Sequence, residues 1–183
     1  MDPPRKTLLT TSRNPTPKIR TFCRDFARVI PNIFYVNRGK MSNDDVAEKA
    51  IEYDADRVVI VDRWQGGLGV LRFFMVTESG LTEASPTIHF AVKLQKELGV
   101  SNVKPAVSIR VQASNKSDEL ARLAASLSGL FGLPISSEEQ EHKPALTMMR
   151  ISRDKSGKIA VTFMDEPRHV ELGPRITVSK LEW

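Results

Sequence analysis

The sequence predicts an α/β fold of mixed β-sheets with flanking helices, and three observations carry that prediction. Apolar residues recur at helical spacing over 18–30, at Ile19, Phe22, Cys23, Phe26, Ala27 and Ile30. Val58-Val59-Ile60-Val61 is an unbroken β-branched run, the composition of a strand covered on both faces. A second helical stripe, Leu120, Leu123, Ala124, Leu127 and Phe131, repeats Ile19, Phe22, Cys23, Phe26 and Ile30 displaced by 101 residues, which points to two duplicated halves. Any two amphipathic helices align to some degree. The strand before each helix and the proline after each (Pro31, Pro134) favour duplication over coincidence.

The elements follow in order. Leu8–Thr11 reads as a short strand, and Ser12–Pro17 as a loop because it holds two prolines and an Asn-Pro step. Pro17 suits the first turn of the helix, which Pro31-Asn32 stops. Ile33–Val36 is a second strand and Asn37-Arg38-Gly39 a turn. Ser42 is placed to cap another helix, with Asp44 and Asp45 in its first turn and an apolar stripe at Val46, Ala47, Ala50 and Ile51. Gly66-Gly67 turns the Val58–Val61 strand into Val70–Val76 as a hairpin. Right-handed crossovers then make the first three strands parallel and the fourth reversed. Ala106–Ala113 reads as a strand, followed by a helix capped by Ser117. Strands are expected within Thr87–Leu98, Ala145–Ser152, Ile159–Met164 and Val170–Leu181, and Ser136–Lys143 as an acidic surface loop. The halves are expected at about 1–85 and 86–183, packed as one unit, with the boundary inside 77–104.

At 183 residues, with 40% hydrophobic and 27% charged residues, the chain is long enough for one ordinary core. No apolar run is long enough to span a membrane, and the first residues lack a secretory apolar stretch, so the expected compartment is the cytoplasm. A single cysteine, Cys23, excludes an internal disulfide framework and a Cys-cluster zinc site. It lies on the apolar helix face, the place of a core residue. His89, His142 and His169 are scattered without ligand spacing. There is no phosphate loop, and Gly66-Gly67-Leu68-Gly69 lacks a dinucleotide spacing. No nucleophile–base set is legible, so neither catalysis nor a cofactor is expected.

Charge is concentrated. The net charge is +5, yet residues 1–40 alone carry +7 and residues 41–183 carry −2. A local positive field of this kind concentrates polyanions. Ser12, Arg13 and Lys18 flank the start of the first helix, where the dipole and free N–H groups favour an anion. Arg20, Arg24 and Arg28 recur every fourth residue on the face opposite the apolar stripe. Their mutual repulsion favours a polyanion partner over a merely solvated face. Arg38 and Lys40 fall at the next loop, and guanidinium groups suit phosphate. Arg63 and Trp64 close a hairpin mouth and add a cation and a stacking face, Trp64 being equally well placed as a core cap. These ten residues, Ser12 through Trp64, form the expected polyanion-binding set, which the resemblance described next makes an RNA-binding set.

Leu9-Thr10-Thr11-Ser12-Arg13, then Pro15, Pro17-Lys18 and a basic amphipathic helix, then Asn37-Arg38-Gly39-Lys40, Val58–Asp62 and Gly66 resemble the Brix domain. The resemblance is strongest over residues 7–76 and extends with weaker motifs to the end. It is nearest to compact archaeal members and to Brix proteins of the eukaryotic small-subunit processome, whose long charged tails are missing here. It implies a single Brix domain over 1–183, each half resembling the anticodon-binding domain of class II aminoacyl-tRNA synthetases. It also implies a ribosome biogenesis role: binding ribosomal RNA or its precursor and aiding its processing or folding. Other ribosome assembly proteins are a further class of partner. Two rival functions are a protein-interaction scaffold using sheet edges and the acidic loop, and an RNA-modifying enzyme.

Overall fold

The structure is a computed structural model that describes residues 5–64, 69–114, 117–136 and 147–183. In chain order the elements are β1 (Thr7–Thr11), α1 (Pro17–Val29), β2 (Ile33–Tyr35), α2 (Asn43–Glu52), β3 (Arg57–Arg63), β4 (Gly69–Thr77) and β5 (Gly80–Lys93). After a 3-10 turn at Gln95–Leu98 come β6 (Ile109–Ala113), α3 (Asp118–Phe131), β7 (Thr147–Arg153), β8 (Ile159–Asp165), β9 (Val170–Glu171) and β10 (Arg175–Glu182). The Gly66-Gly67 turn and most of the expected acidic loop lie outside the described residues.

Each helix begins where its sequence says, although Ser117, at the N-cap position of α3, makes no side-chain cap hydrogen bond among the described residues. Thr16 Oγ1 accepts the Ile19 N–H, and Pro17 occupies the first helical position of α1. At α2, Ser42 and Asp45 close a reciprocal capping box. The caps fix where the apolar stripes start and hence which faces turn inward.

The halves were expected as packed sheets; they share one. The ten strands run β2-β1-β3-β4-β5-β10-β8-β7-β6, with β9 paired to β8. As expected, β1 is parallel to β2 and β3, and β4 returns antiparallel to β3. The seam is the antiparallel pair β5–β10, registered from Arg175 opposite Lys93 to Glu182 opposite Thr87. Both flanks run outward from it in the same pattern. β4 and β3 are antiparallel neighbours with β1 parallel beyond them; β8 and β7 are antiparallel neighbours with β6 parallel beyond them. A parallel bridge of Val111 to Ile135 stands where β2 stands beside β1. The expected division at residues 85 and 86 falls inside β5, which is longer than the sequence suggested.

α1 and α3 lie on one face of the sheet and α2 on the other. The larger core joins Phe22, Cys23 and Phe26 of α1 to Leu123, Leu127 and Phe131 of α3 over Leu9, Val59, Val61 and Phe163. Phe26 meets Phe131 edge-on at 5.9 Å and Phe163 at the same distance, so aromatic packing crosses from one half to the other. The smaller core packs Val46 and Ala50 of α2 on Leu8, Val58 and Ile60. β3 is therefore covered on both sides, as its β-branched run predicts.

Candidate nucleic-acid interface

The topology makes a crevice before any side chain is considered. The chain leaves β1 for α1 on one face, and leaves β2 for α2 on the other. β1 is thus a switch point, and the loops beyond the carboxyl ends of β1 and β2 diverge. Between them is a cleft of about 380 Å³. Thr11, Asn14 and Pro15 line it from the first loop, Asn37, Arg38 and Gly39 from the second, and Tyr35 from the end of β2. Arg20 and Arg24 of α1 complete it. Gly39 has φ +53°, a left-handed conformation that disfavours a side chain at this tight turn.

α1 presents its cations as the sequence predicts. Arg20, Arg24 and Arg28 are exposed, and among the described residues none forms an ion pair with an acid. Asp25, the one acid of this helix, points the other way: it is buried, and its Oδ2 accepts the Gln95 N–H at 3.0 Å. Burial pushes its carboxyl pKa up, against the pull of that hydrogen bond and of Arg28 and Lys96. The helix start is less open to an anion than expected. Pro17 has no N–H, Thr16 holds those of Ile19 and Arg20, and among the described residues the Lys18 amide of that turn has no partner.

Arg38 departs most from expectation. It is 7% exposed, not a surface cation. Its Nε donates to Met41 O at 2.7 Å, Nη1 to Thr11 O at 3.3 Å and Nη2 to Asn43 Oδ1 at 2.8 Å. The guanidinium ties the end of β1 to the start of α2, so most of its donors are committed. Desolvation and the nearby charge of Arg13 lower its pKa, with Asp45 and Asp62 opposing. Arg38 braces the cleft and lends it charge.

The remaining predicted residues divide. Lys18, Arg63 and Trp64 border a second, smaller cleft of about 160 Å³, floored by Phe22 and Phe90. Trp64 is 52% exposed and stands edge-on to His89 at 5.1 Å, so it is neither a core cap nor a free platform. Lys18 pairs with Glu97 at 3.2 Å, which takes up part of its charge. Arg13 and Lys40 are exposed. Ser12 contributes its backbone N–H to Val61 O, while its hydroxyl is buried with no partner among the described residues. The structure brings Arg20, Arg24 and Arg38 together at the first cleft, places Lys18, Arg63 and Trp64 at the second, and leaves Arg28 further along the helix, lining neither. Cys23 is in the core, where burial pushes its thiol up to about 12, so it is no nucleophile at neutral pH.

Sequence reasoning missed Thr11, Asn14, Tyr35 and Asn37, all in the cleft lining. Their signal was their position at the ends of two parallel strands flanking a switch point. It also missed an asymmetry that the 101-residue displacement exposes: Arg20, Arg24 and Arg28 correspond to Ala121, Ala125 and Gly129 on the outer face of α3. The two helices bury alike and differ in what they show to solvent.

A probable Brix domain-containing ribosomal biogenesis protein of Aeropyrum pernix is 38% identical over 85 residues, 46% of this chain and 46% of that protein. The protein of the same name from Thermococcus kodakarensis is 32% identical over 98 residues, 54% of this chain and 47% of its own length. Over about half of its length the chain is similar to archaeal Brix-domain proteins. A further Brix-domain protein so named, from Methanococcus maripaludis, is 30% identical over 91 residues. The chain spans about half the length of the curated Brix-domain relatives it matches. No family model matches it. Among solved structures, the crystal structure of a probable ribosomal biogenesis protein from Aeropyrum pernix K1 superposes with TM-score 0.78 over 96% of each chain, at 24% identity. That likeness shows a shared fold. No helix of the described residues is long and apolar enough to cross a membrane.

Proposed function

We propose that this chain is a non-enzymatic ribosome biogenesis factor of the cytoplasm that binds ribosomal RNA or its precursor and assists rRNA processing or folding. The observation that carries the proposal is the exposed row Arg20, Arg24 and Arg28 on α1, unpaired with acids among the described residues, with Arg20 and Arg24 lining a ligand-sized cleft. The names of the archaeal relatives support the biological setting. Phosphate contacts from α1 and its flanking loops supply affinity and set register, without reading sequence. Shape and unpaired bases supply selectivity.

The chain is one Brix domain of two halves, each similar to a class II synthetase anticodon-binding domain. Their boundary is best placed after β5, at 94–104. In this reading the first half carries the RNA surface, because α3 has Ala121, Ala125 and Gly129 where α1 has Arg20, Arg24 and Arg28.

The test is a salt titration of binding to a ribosomal RNA fragment. Changing Arg20, Arg24 and Arg28 to Glu is expected to weaken binding and to flatten log K against log salt by roughly 0.7 per lost single-strand phosphate contact. An unchanged slope removes α1 from the interface. Pull-down of assembly proteins after nuclease treatment separates this reading from a scaffold: an RNA bridge is lost, a protein bridge persists.

A further inference from the structure

Resting on that reading, we infer that the cleft between the β1–α1 and β2–α2 loops receives one unpaired nucleotide of the bound RNA. Its volume of about 380 Å³ lies at the small end of the range for ligand pockets. It sits outside the carboxyl ends of parallel strands at a switch point, the place where open α/β sheets take ligands. Arg20 and Arg24 offer guanidinium forks for a phosphate.

The rest of the lining suits more than a phosphate. Thr11 is 1% exposed, lines the cleft, and its Oγ1 has no hydrogen-bond partner among the described residues. Tyr35 is half-buried and lies within the field of Arg20 and Arg24. Its hydroxyl donates to Asn37 Oδ1 at 3.2 Å. That bond holds the phenol ring and the Asn37 amide in one arrangement, with the Asn37 N–H₂ left to donate. A bare phosphate uses the arginines and ignores the ring and the amides. A nucleotide uses all three, with its phosphate on Arg20 and Arg24, its base against Tyr35, and its polar edge toward Asn37 and Asn14. The nucleotide must be unpaired, because a base stacked inside an A-form duplex cannot enter.

The experiment uses the full chain, isotope-labelled for NMR. It is titrated with the four nucleoside monophosphates, with inorganic phosphate and with the uncharged nucleosides. In parallel, binding of a short single-stranded RNA and of its duplex is measured for wild type, Asn37→Ala and Arg24→Ala. Asn37 is exposed, so its variant keeps the wild-type melting temperature. Monophosphates are expected to shift the amides of Thr11, Asn37 and Gly39, and phosphate alone is expected to leave them in place. Asn37→Ala is expected to lose about tenfold in single-strand affinity. Its duplex affinity and salt slope stay unchanged, whereas Arg24→Ala lowers both. Two results overturn the inference: monophosphates act no differently from phosphate, or Asn37→Ala binds single strands like wild type. RNA affinity indifferent to charge reversal on α1 overturns the RNA surface and this inference with it. RNA affinity that falls on charge reversal, with no response of the cleft amides to monophosphates, keeps the RNA surface and overturns the nucleotide site alone.

Discussion

The carboxylate of Asp25 accepts the backbone N–H of Gln95 at 3.0 Å, so the buried side of the arginine helix is fastened to the segment that follows β5. This contact joins α1 to the segment leading toward the second half. It also places an acid where burial opposes its charge.

Asp25 therefore gives stability a defined pH dependence. Its folded pKa lies above the unfolded value, so protonation favours the folded state. The stabilisation it offers is complete below the ordinary aspartate pKa and fades as pH rises through the raised one. Asp25→Asn removes that titration and keeps an oxygen acceptor for Gln95. Urea unfolding across pH 3–7 (roughly the interval spanning an aspartate titration) is expected to show Asp25→Asn gaining on wild type as pH rises. Asp25→Ala leaves the Gln95 N–H without its acceptor and is expected to lose about 1–3 kcal/mol.

Arg38 is expected to behave as a structural residue first. Lysine cannot reproduce a fork that serves Met41 O, Thr11 O and Asn43 Oδ1 at once. Arg38→Lys should lose about 2–4 kcal/mol in chemical denaturation. Arg24→Ala, exposed and without an ion pair among the described residues, should melt close to wild type. Equal melting temperatures for Arg38→Lys and wild type would deny Arg38 this role.

Phe26 couples the halves. Its ring lies 5.9 Å from Phe131 of α3 and from Phe163 of β8. Phe26→Ala should lose about 3–5 kcal/mol. The loss should appear in one transition, with amides of both halves becoming exchangeable together. Separate transitions would mean that the shared core does not enforce cooperativity.

Lys18 is held back by Glu97, which also accepts the Leu94 N–H. Glu97→Gln keeps an acceptor for Leu94 and frees the lysine. RNA affinity at low salt should rise, and the gain should vanish as salt screens the charge. A gain that persists at high salt would point to a conformational cause instead.

What was legible in the sequence was what neighbouring residues decide. The α1 stripe, its proline at the first turn and the Ser42 cap all follow from spacing and local hydrogen bonds. The parallel order of β1, β2 and β3 follows from crossover handedness. The first half of β5 was missed because Thr82–Pro86 mixes polar and small residues; its extended form rests on pairing with β4. Asn37-Arg38-Gly39-Lys40 is polar throughout, the pattern of a surface turn, and it predicts an exposed Arg38. Its burial comes from β1 and α2 closing around it, which no local pattern encodes. The cleft was invisible for the same reason: its walls come from three separate segments that meet only after β2 crosses beside β1.

The β5–β10 seam sets an order of events during synthesis. β5 and its neighbours are made early, while β10 follows every other strand of the sheet. Until β10 emerges, β5 offers a long run of unsatisfied backbone groups, the kind of edge that recruits foreign strands. A nascent chain stalled before Arg175 would therefore hold a finished arginine helix beside an unprotected edge. Such a half-made protein should be prone to self-association, and its release in soluble form should depend on β10 docking promptly.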